Sequence, residues 1–123
     1  MAQPLLLTYN LDSITAAALK RACEPLQIRC RAVEPREYGL PVGALAGIPV
    51  SAPQADALAQ GFADAMLVIC FILSDQLDAL LAALRQAGIR VPLKAVLTPT
   101  NVAWSSAQLR DELAREHEAM KRG

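Results

Sequence analysis

The polar residues best placed for chemistry sit at the ends of apolar runs. Asn10 and Asp12 follow Leu5-Leu6-Leu7-Thr8-Tyr9, Ser74 and Asp75 follow Met66–Leu73, and Thr98 to Asn101 follow Val91–Leu97. Each apolar run reads as a strand, so these residues fall where an open α/β sheet binds ligands, beyond the carboxyl ends of its strands. Asn10, Asp12, Ser74, Asp75, Thr98 and Asn101 are therefore the candidate binding residues. Phosphate is disfavoured there, because neither strand-to-helix turn is glycine-rich and Asp12 and Asp75 bring negative charge. Two carboxylates could hold a divalent cation, but acidic residues at helix starts usually serve as caps and dipole partners, and no metal is expected.

No catalytic constellation accompanies them. His117, the single histidine, borders an apolar stripe between Glu116 and Glu118, and no nucleophile is spaced to pair with it. Cys23, Cys30 and Cys70 are far apart and form no CxxC, which reads as small buried hydrophobes in a reducing compartment. No catalytic residue and no cofactor is expected.

The elements that would position these residues follow from periodicity. Leu5–Tyr9 reads as a buried strand, and Asp12 and Ser13 are N-cap candidates for a helix with Ile14, Ala18, Ala22 and Leu26 on its buried face. Pro25 should end that helix. Ile28–Val33 alternates apolar and charged residues, the pattern of an edge strand. Met66–Leu73 is apolar on both faces and reads as a central strand. Ser74 is expected to cap the next helix, with a Leu77, Leu80, Leu81, Leu84 stripe and a stop at Gly88. Val91–Leu97 supplies the last strand.

Leu11-Asp12-Ser13 through Ile28-Arg29 and Leu73-Ser74-Asp75 through Ile89-Arg90 follow one plan, so the chain reads as two βαβ units. The expected fold is α/β: one domain over residues 1–123 with a four-stranded, mostly parallel sheet of order 2-1-3-4 and a C-terminal helix. That helix carries a capping box, Ser105 to Gln108, and a staple from Trp104 to Leu109. Leu109, Leu113 and Met120 make its apolar stripe.

Between the units, Pro35–Pro53 is a long breaker-rich connection, and such loops often carry function. Val42–Gly47 within it suits a short helix ended by Gly47. Tyr38, Leu40 and Leu45 on this loop, with Trp104, are the candidate interaction surface.

Composition bounds the rest. The chain has 123 residues, 54% hydrophobic and 20% charged, with 12 basic residues balancing 12 acidic ones. That is enough apolar content for a packed core, while the zero net charge argues against nucleic acid, leaving Arg29, Arg31, Arg36 and Arg90 a weak basic set. High apolarity at zero net charge favours self-association. The start lacks a basic leader, and no apolar run is long enough to span a bilayer, so a cytoplasmic protein with no membrane partner is expected.

Glu37-Tyr38-Gly39-Leu40-Pro41-Val42-Gly43 with Leu45 and Gly47, and Leu93-Lys94-Ala95-Val96-Leu97-Thr98 with Asn101, Trp104, Leu109, Glu112-Leu113 and Glu116-His117, together resemble a small bacterial family without assigned function. This is the domain-of-unknown-function family 3783. Ile72 departs from that pattern, which has a small residue before the helix. The resemblance implies a compact α/β fold and a bacterial cytosolic origin, and it brings no activity or cofactor. The expected function is a non-catalytic interaction or regulatory domain that self-associates as a homodimer or meets another protein. The alternative is a small-ligand binder or minor enzyme using the strand-end crevice.

Overall fold

The computed structural model describes residues 3–50 and 61–122. In chain order the elements are β1 (Leu5–Tyr9), α1 (Ser13–Cys23), β2 (Arg29–Ala32), α2 (Val42–Leu45), β3 (Met66–Cys70), α3 (Ser74–Gln86), β4 (Leu93–Val96) and α4 (Ser106–Arg122). The four strands form one sheet in the order β2-β1-β3-β4. β1 and β2 pair in parallel, as do β3 and β4, so the expected α/β architecture and strand order hold. The central pair is antiparallel, with Leu5 opposite Cys70, Leu7 opposite Val68 and Tyr9 opposite Met66.

The two βαβ units are duplicates in structure. One fixed offset carries Leu5 to Met66, Asn10 to Phe71, Asp12 to Leu73, Ser13 to Ser74, Gln27 to Gly88 and Ile28 to Ile89. The equivalence reaches the backbone. Asn10 and Phe71 both take a left-handed conformation (φ 58° and 61°), as do Gln27 and Gly88 (φ 58° and 71°). Ile28 donates to the Cys23 carbonyl and Ile89 to that of Leu84, closing both helices in the same way. The match at the helix starts is shifted by one residue from the one read in the sequence. Leu73, not Ser74, is the N-cap of α3, and it offers no side-chain acceptor.

Antiparallel pairing of two such units decides where the helices go. Crossovers of one hand running outward from antiparallel central strands fall on the same face of the sheet. α1 and α3 accordingly pack against each other, and their Leu19, Cys23, Leu80 and Leu84 share a core with Leu6, Leu67 and Ile69. The buried stripe of α1 is Leu19 and Cys23, while Ile14, expected inside, is 81% exposed. The buried stripe is one residue on from the expected one, at the positions that carry Leu19 and Cys23 into the core shared with α3.

The opposite face, Leu5, Leu7, Tyr9, Met66, Val68 and Cys70, is left for other segments to cover. Tyr38, Val42 and Leu45 from the connection and Leu109 from α4 do so. Tyr38 and Leu45, read as an interaction surface, are therefore core residues, because this sheet face has no βαβ helix of its own. Trp104 is half-buried in the same core and Leu40 stays exposed. Leu109 is buried and Leu113 half-buried, but Met120, expected on the stripe, is exposed at the far end of α4.

The two covering segments are stitched together. Val42 donates to the Trp104 carbonyl, Gly43 to that of Val102 and Ala107 to that of Tyr38. The Ser105 hydroxyl accepts from the Gln108 backbone at 3.1 Å, the cap expected there. Under them the Tyr9 hydroxyl meets that of Ser106 at 2.7 Å. Gly43 is needed at this crossing, since a Cβ there would lie 2.9 Å from the Val102 carbonyl oxygen and overlap the Val102 side chain.

Gly43→Ala should therefore cost about 1–3 kcal/mol through overpacking, read by urea unfolding; an unchanged midpoint would mean the two segments do not meet closely. Asp12 caps α1 by accepting from the Thr15 backbone N–H at 2.6 Å, and this bond holds its carboxyl below the usual range. Its stabilisation is present above the ordinary aspartate pKa and is lost as pH falls through the lowered one. Asp12→Ala should melt lower than the parent at neutral pH, with the gap closing in acid; a gap independent of pH would exclude the carboxylate as its source.

Candidate functional site

The antiparallel centre separates the residues expected to share one crevice. The carboxyl ends of β1 and β2 lie at one end of the sheet and those of β3 and β4 at the other. Asn10 and Asp12 are at the first end; Ser74, Asp75, Thr98 and Asn101 are at the second. There is no common switch point, because that requires parallel central strands.

The first end is filled by the chain itself. Asn10 donates to the carbonyls of Phe62 and Asp64, at 2.7 and 3.0 Å, and accepts from the Tyr38 hydroxyl at 3.1 Å. The rings of Tyr38 and Phe62 stack with centroids 4.4 Å apart, and Tyr9 lies 5.6 Å from Tyr38. Burial raises the pKa of both tyrosine hydroxyls, which keeps them neutral hydrogen-bonding groups. Arg110 reaches the Asp64 carboxylate at 2.9 Å and fastens α4 to the same corner. With its side chain fully engaged, Asn10 is structural, and Asp12 is the cap of α1.

The second end is open. A groove of about 790 Å³ runs along it, with Phe71, Ile72 and Leu73 from the β3–α3 turn and Val96, Leu97, Thr98 and Pro99 from the end of β4. Ile48, Val102, Pro4 and Gln76 complete the lining. Among the described residues, no ionisable side chain contributes to it. Gln76 and Thr98 are the polar residues of the lining. The volume lies in the range of small-molecule pockets, which are mostly apolar with a few orienting polar groups.

The side chains that make this end apolar occupy positions where the first unit has polar ones. Asn10 becomes Phe71, in the same left-handed conformation that disfavours large residues without a local hydrogen bond. Asp12 becomes Leu73, an N-cap without an acceptor and 77% exposed. Both substitutions weaken local structure, and both put apolar surface into the groove. Val96, 43% exposed, faces them from β4. Phe71 and Leu73 are inconspicuous in the sequence because they prolong an apolar run. The usable signal was the repeat itself, aligned at Asn10–Phe71.

Of the sequence candidates at this end, Thr98 lines the groove. Asn101 is buried and builds the turn beneath it, accepting from the Thr98 N–H at 2.9 Å and donating to the Val96 carbonyl at 3.1 Å. That last bond also occupies an outward carbonyl of edge strand β4, where Lys94 is exposed. Both features blunt the edge against pairing with another strand. Ser74 and Asp75 are exposed on the first turn of α3, outside the lining. His117 is half-buried on α4. Among the described residues no group of three or more His, Cys, Asp or Glu side chains gathers as a metal site. Arg31 pairs with Glu37 at 2.7 Å and Arg36 with Glu34 at 2.6 Å. Among the described residues, no helix is long and apolar enough to cross a membrane.

Residues 65–120 match a family described as Domain of unknown function (DUF3783), the family the sequence resembles. The matched stretch runs from β3 through α4, so it contains the second βαβ unit and most of the groove lining. No curated protein and no solved structure matches the chain.

Proposed function

We propose that this chain is a non-catalytic binding domain whose apolar groove, at the carboxyl ends of β3 and β4, takes a small, uncharged, largely apolar molecule. The observation that carries the reading is the exchange of Asn10 and Asp12 in one unit for Phe71 and Leu73 in the other. An exposed leucine at an N-cap and a left-handed phenylalanine are both locally unfavourable, and such departures concentrate at functional sites. Among the described residues the lining has no ionisable side chain to act as acid or base or to activate the Thr98 hydroxyl, which favours recognition over bond chemistry. Gln76 and Thr98 are the groups able to orient a single polar end of the ligand.

Self-association, the other reading raised by zero net charge, has one specific support: the apolar patch of Leu73 and Val96 is also available to a second copy. The same variant addresses both. Leu73→Asp restores the capping residue found at the equivalent Asp12, so it should raise stability by about 0.5–1 kcal/mol. It should also weaken saturable binding of a neutral apolar dye such as Nile red by about tenfold, or about 1.4 kcal/mol. Undiminished dye binding would overturn the ligand reading. Sedimentation of the parent as a dimer that Leu73→Asp converts to monomer would assign the groove to a second copy instead.

A further inference from the structure

Cys23 closes α1 and is fully buried, whereas Cys30 lies on edge strand β2 and is exposed, in contrast to the buried role expected for all three cysteines. Cys30 stands opposite Leu6 in the β1–β2 register, and paired residues point to one face, so its side chain is on the helix side of the sheet. There the reversal between the two elements, held by the Ile28 N–H on the Cys23 carbonyl at 3.2 Å, sets both cysteines on one face of the sheet beside Leu6, which shares a core with Cys23 and stands opposite Cys30. The second unit has no counterpart, since the positions at the same offset are Leu84 and Val91. The thiol pair is therefore not part of the shared frame.

We propose that Cys30 and Cys23 form a peroxide-sensitive thiol pair, Cys30 as the attacking sulfur and Cys23 as the resolving one. The Cys30 thiolate attacks one peroxide oxygen; the O–O bond breaks, hydroxide leaves and takes a proton as water, and Cys30 becomes a sulfenic acid. The Cys23 sulfur then attacks the Cys30 sulfur. The S–O bond breaks, the sulfenic hydroxyl leaves as water with the Cys23 proton, and a disulfide joins α1 to β2. Two electrons pass from the thiols to the peroxide. The division of labour follows exposure, because oxidant reaches Cys30 while Cys23 is shielded. Electrostatics act in the same direction: the hydrogen bond from Cys23, with Lys20 nearby, lowers the Cys30 pKa, and the same contact together with burial raises that of Cys23. Cys70, buried and pushed up to about 12, is not expected to react.

The test treats the full chain with a slight excess of hydrogen peroxide, followed by alkylation in denaturant and peptide mapping. The expected result is loss of two of the three free thiols, a Cys23–Cys30 linked peptide, Cys70 alkylated and no covalent dimer. Cys23→Ala should stop at a Cys30 sulfenic acid captured by dimedone, and Cys30→Ser should leave Cys23 reduced, with circular dichroism confirming that both variants are folded. Three intact thiols under conditions that oxidise glutathione would overturn the proposal. So would a Cys30–Cys30 link between chains, or a Cys23→Ala protein that gives no dimedone adduct.

Discussion

The antiparallel pairing of β1 with β3 governs the rest of the molecule. Each βαβ unit taken alone is ordinary: a parallel strand pair with a crossover helix. Joining two of them with parallel central strands would send their helices to opposite faces and bring both strand ends to one switch point. The antiparallel junction sends both helices to one face and the strand ends to opposite ends of the sheet. It thereby creates two needs the units cannot meet themselves: a cover for the second face, and an occupant for each strand end. The connection between the units and α4 supply the cover, and their mutual bonds at Val42, Gly43 and Ala107 make it one layer. Ser106, at the start of α4, reaches the strand residue Tyr9 through that layer.

Much of this was legible in the residues. The strands, the helices, the duplicated plan and the strand order follow from apolar runs, breakers and caps, because local periodicity encodes them. Ser105 as cap and Gly47 as the stop after α2 are equally local. Strand direction at the centre was not legible. Leu5-Leu6-Leu7 and Met66-Leu67-Val68 are buried on both faces, and such runs look the same whether their neighbour is parallel or antiparallel. From that one ambiguity came the larger displacements. Tyr38 and Leu45 are in the core because the face they cover had no helix, and Asp12 and Asp75 belong to different ends. The one-residue shift at α3 had another cause. Ser74 is the better capping residue by type, and the rule fails where Leu73 holds the cap position.

The duplication makes that failure informative. Two units with one backbone provide an internal control: where the fold needs a polar residue, the first unit shows that one fits. Asn10 suits a left-handed position and Asp12 suits an N-cap. Phe71 and Leu73 suit neither, yet the backbone at Phe71 is left-handed all the same. Packing accounts for part of the exchange, since half-buried Phe71 lies against the core, whereas Leu73 is 77% exposed and gains nothing there that the polar counterpart would not. What the exchange does achieve is surface character. It turns a strand end that would be polar into an apolar wall opposite Val96 and Leu97.

The two ends of the sheet thus solve the same geometric problem in opposite ways. At the first, aromatic side chains from the connection fill the space, and Asn10 binds the backbone that carries Phe62. At the second, apolar side chains line a space with no ionisable group among the described residues. An internally filled end adds stability, and an open apolar end subtracts from it by leaving Leu73 and Val96 in water. On the proposed binding function, the filled end supplies stability and the open end the surface offered to a ligand. The rigid end also anchors α4 through Asp64 and Arg110. The turn through Thr98 and Asn101 leads into α4, so the open groove is bordered by a segment whose far side is held fast.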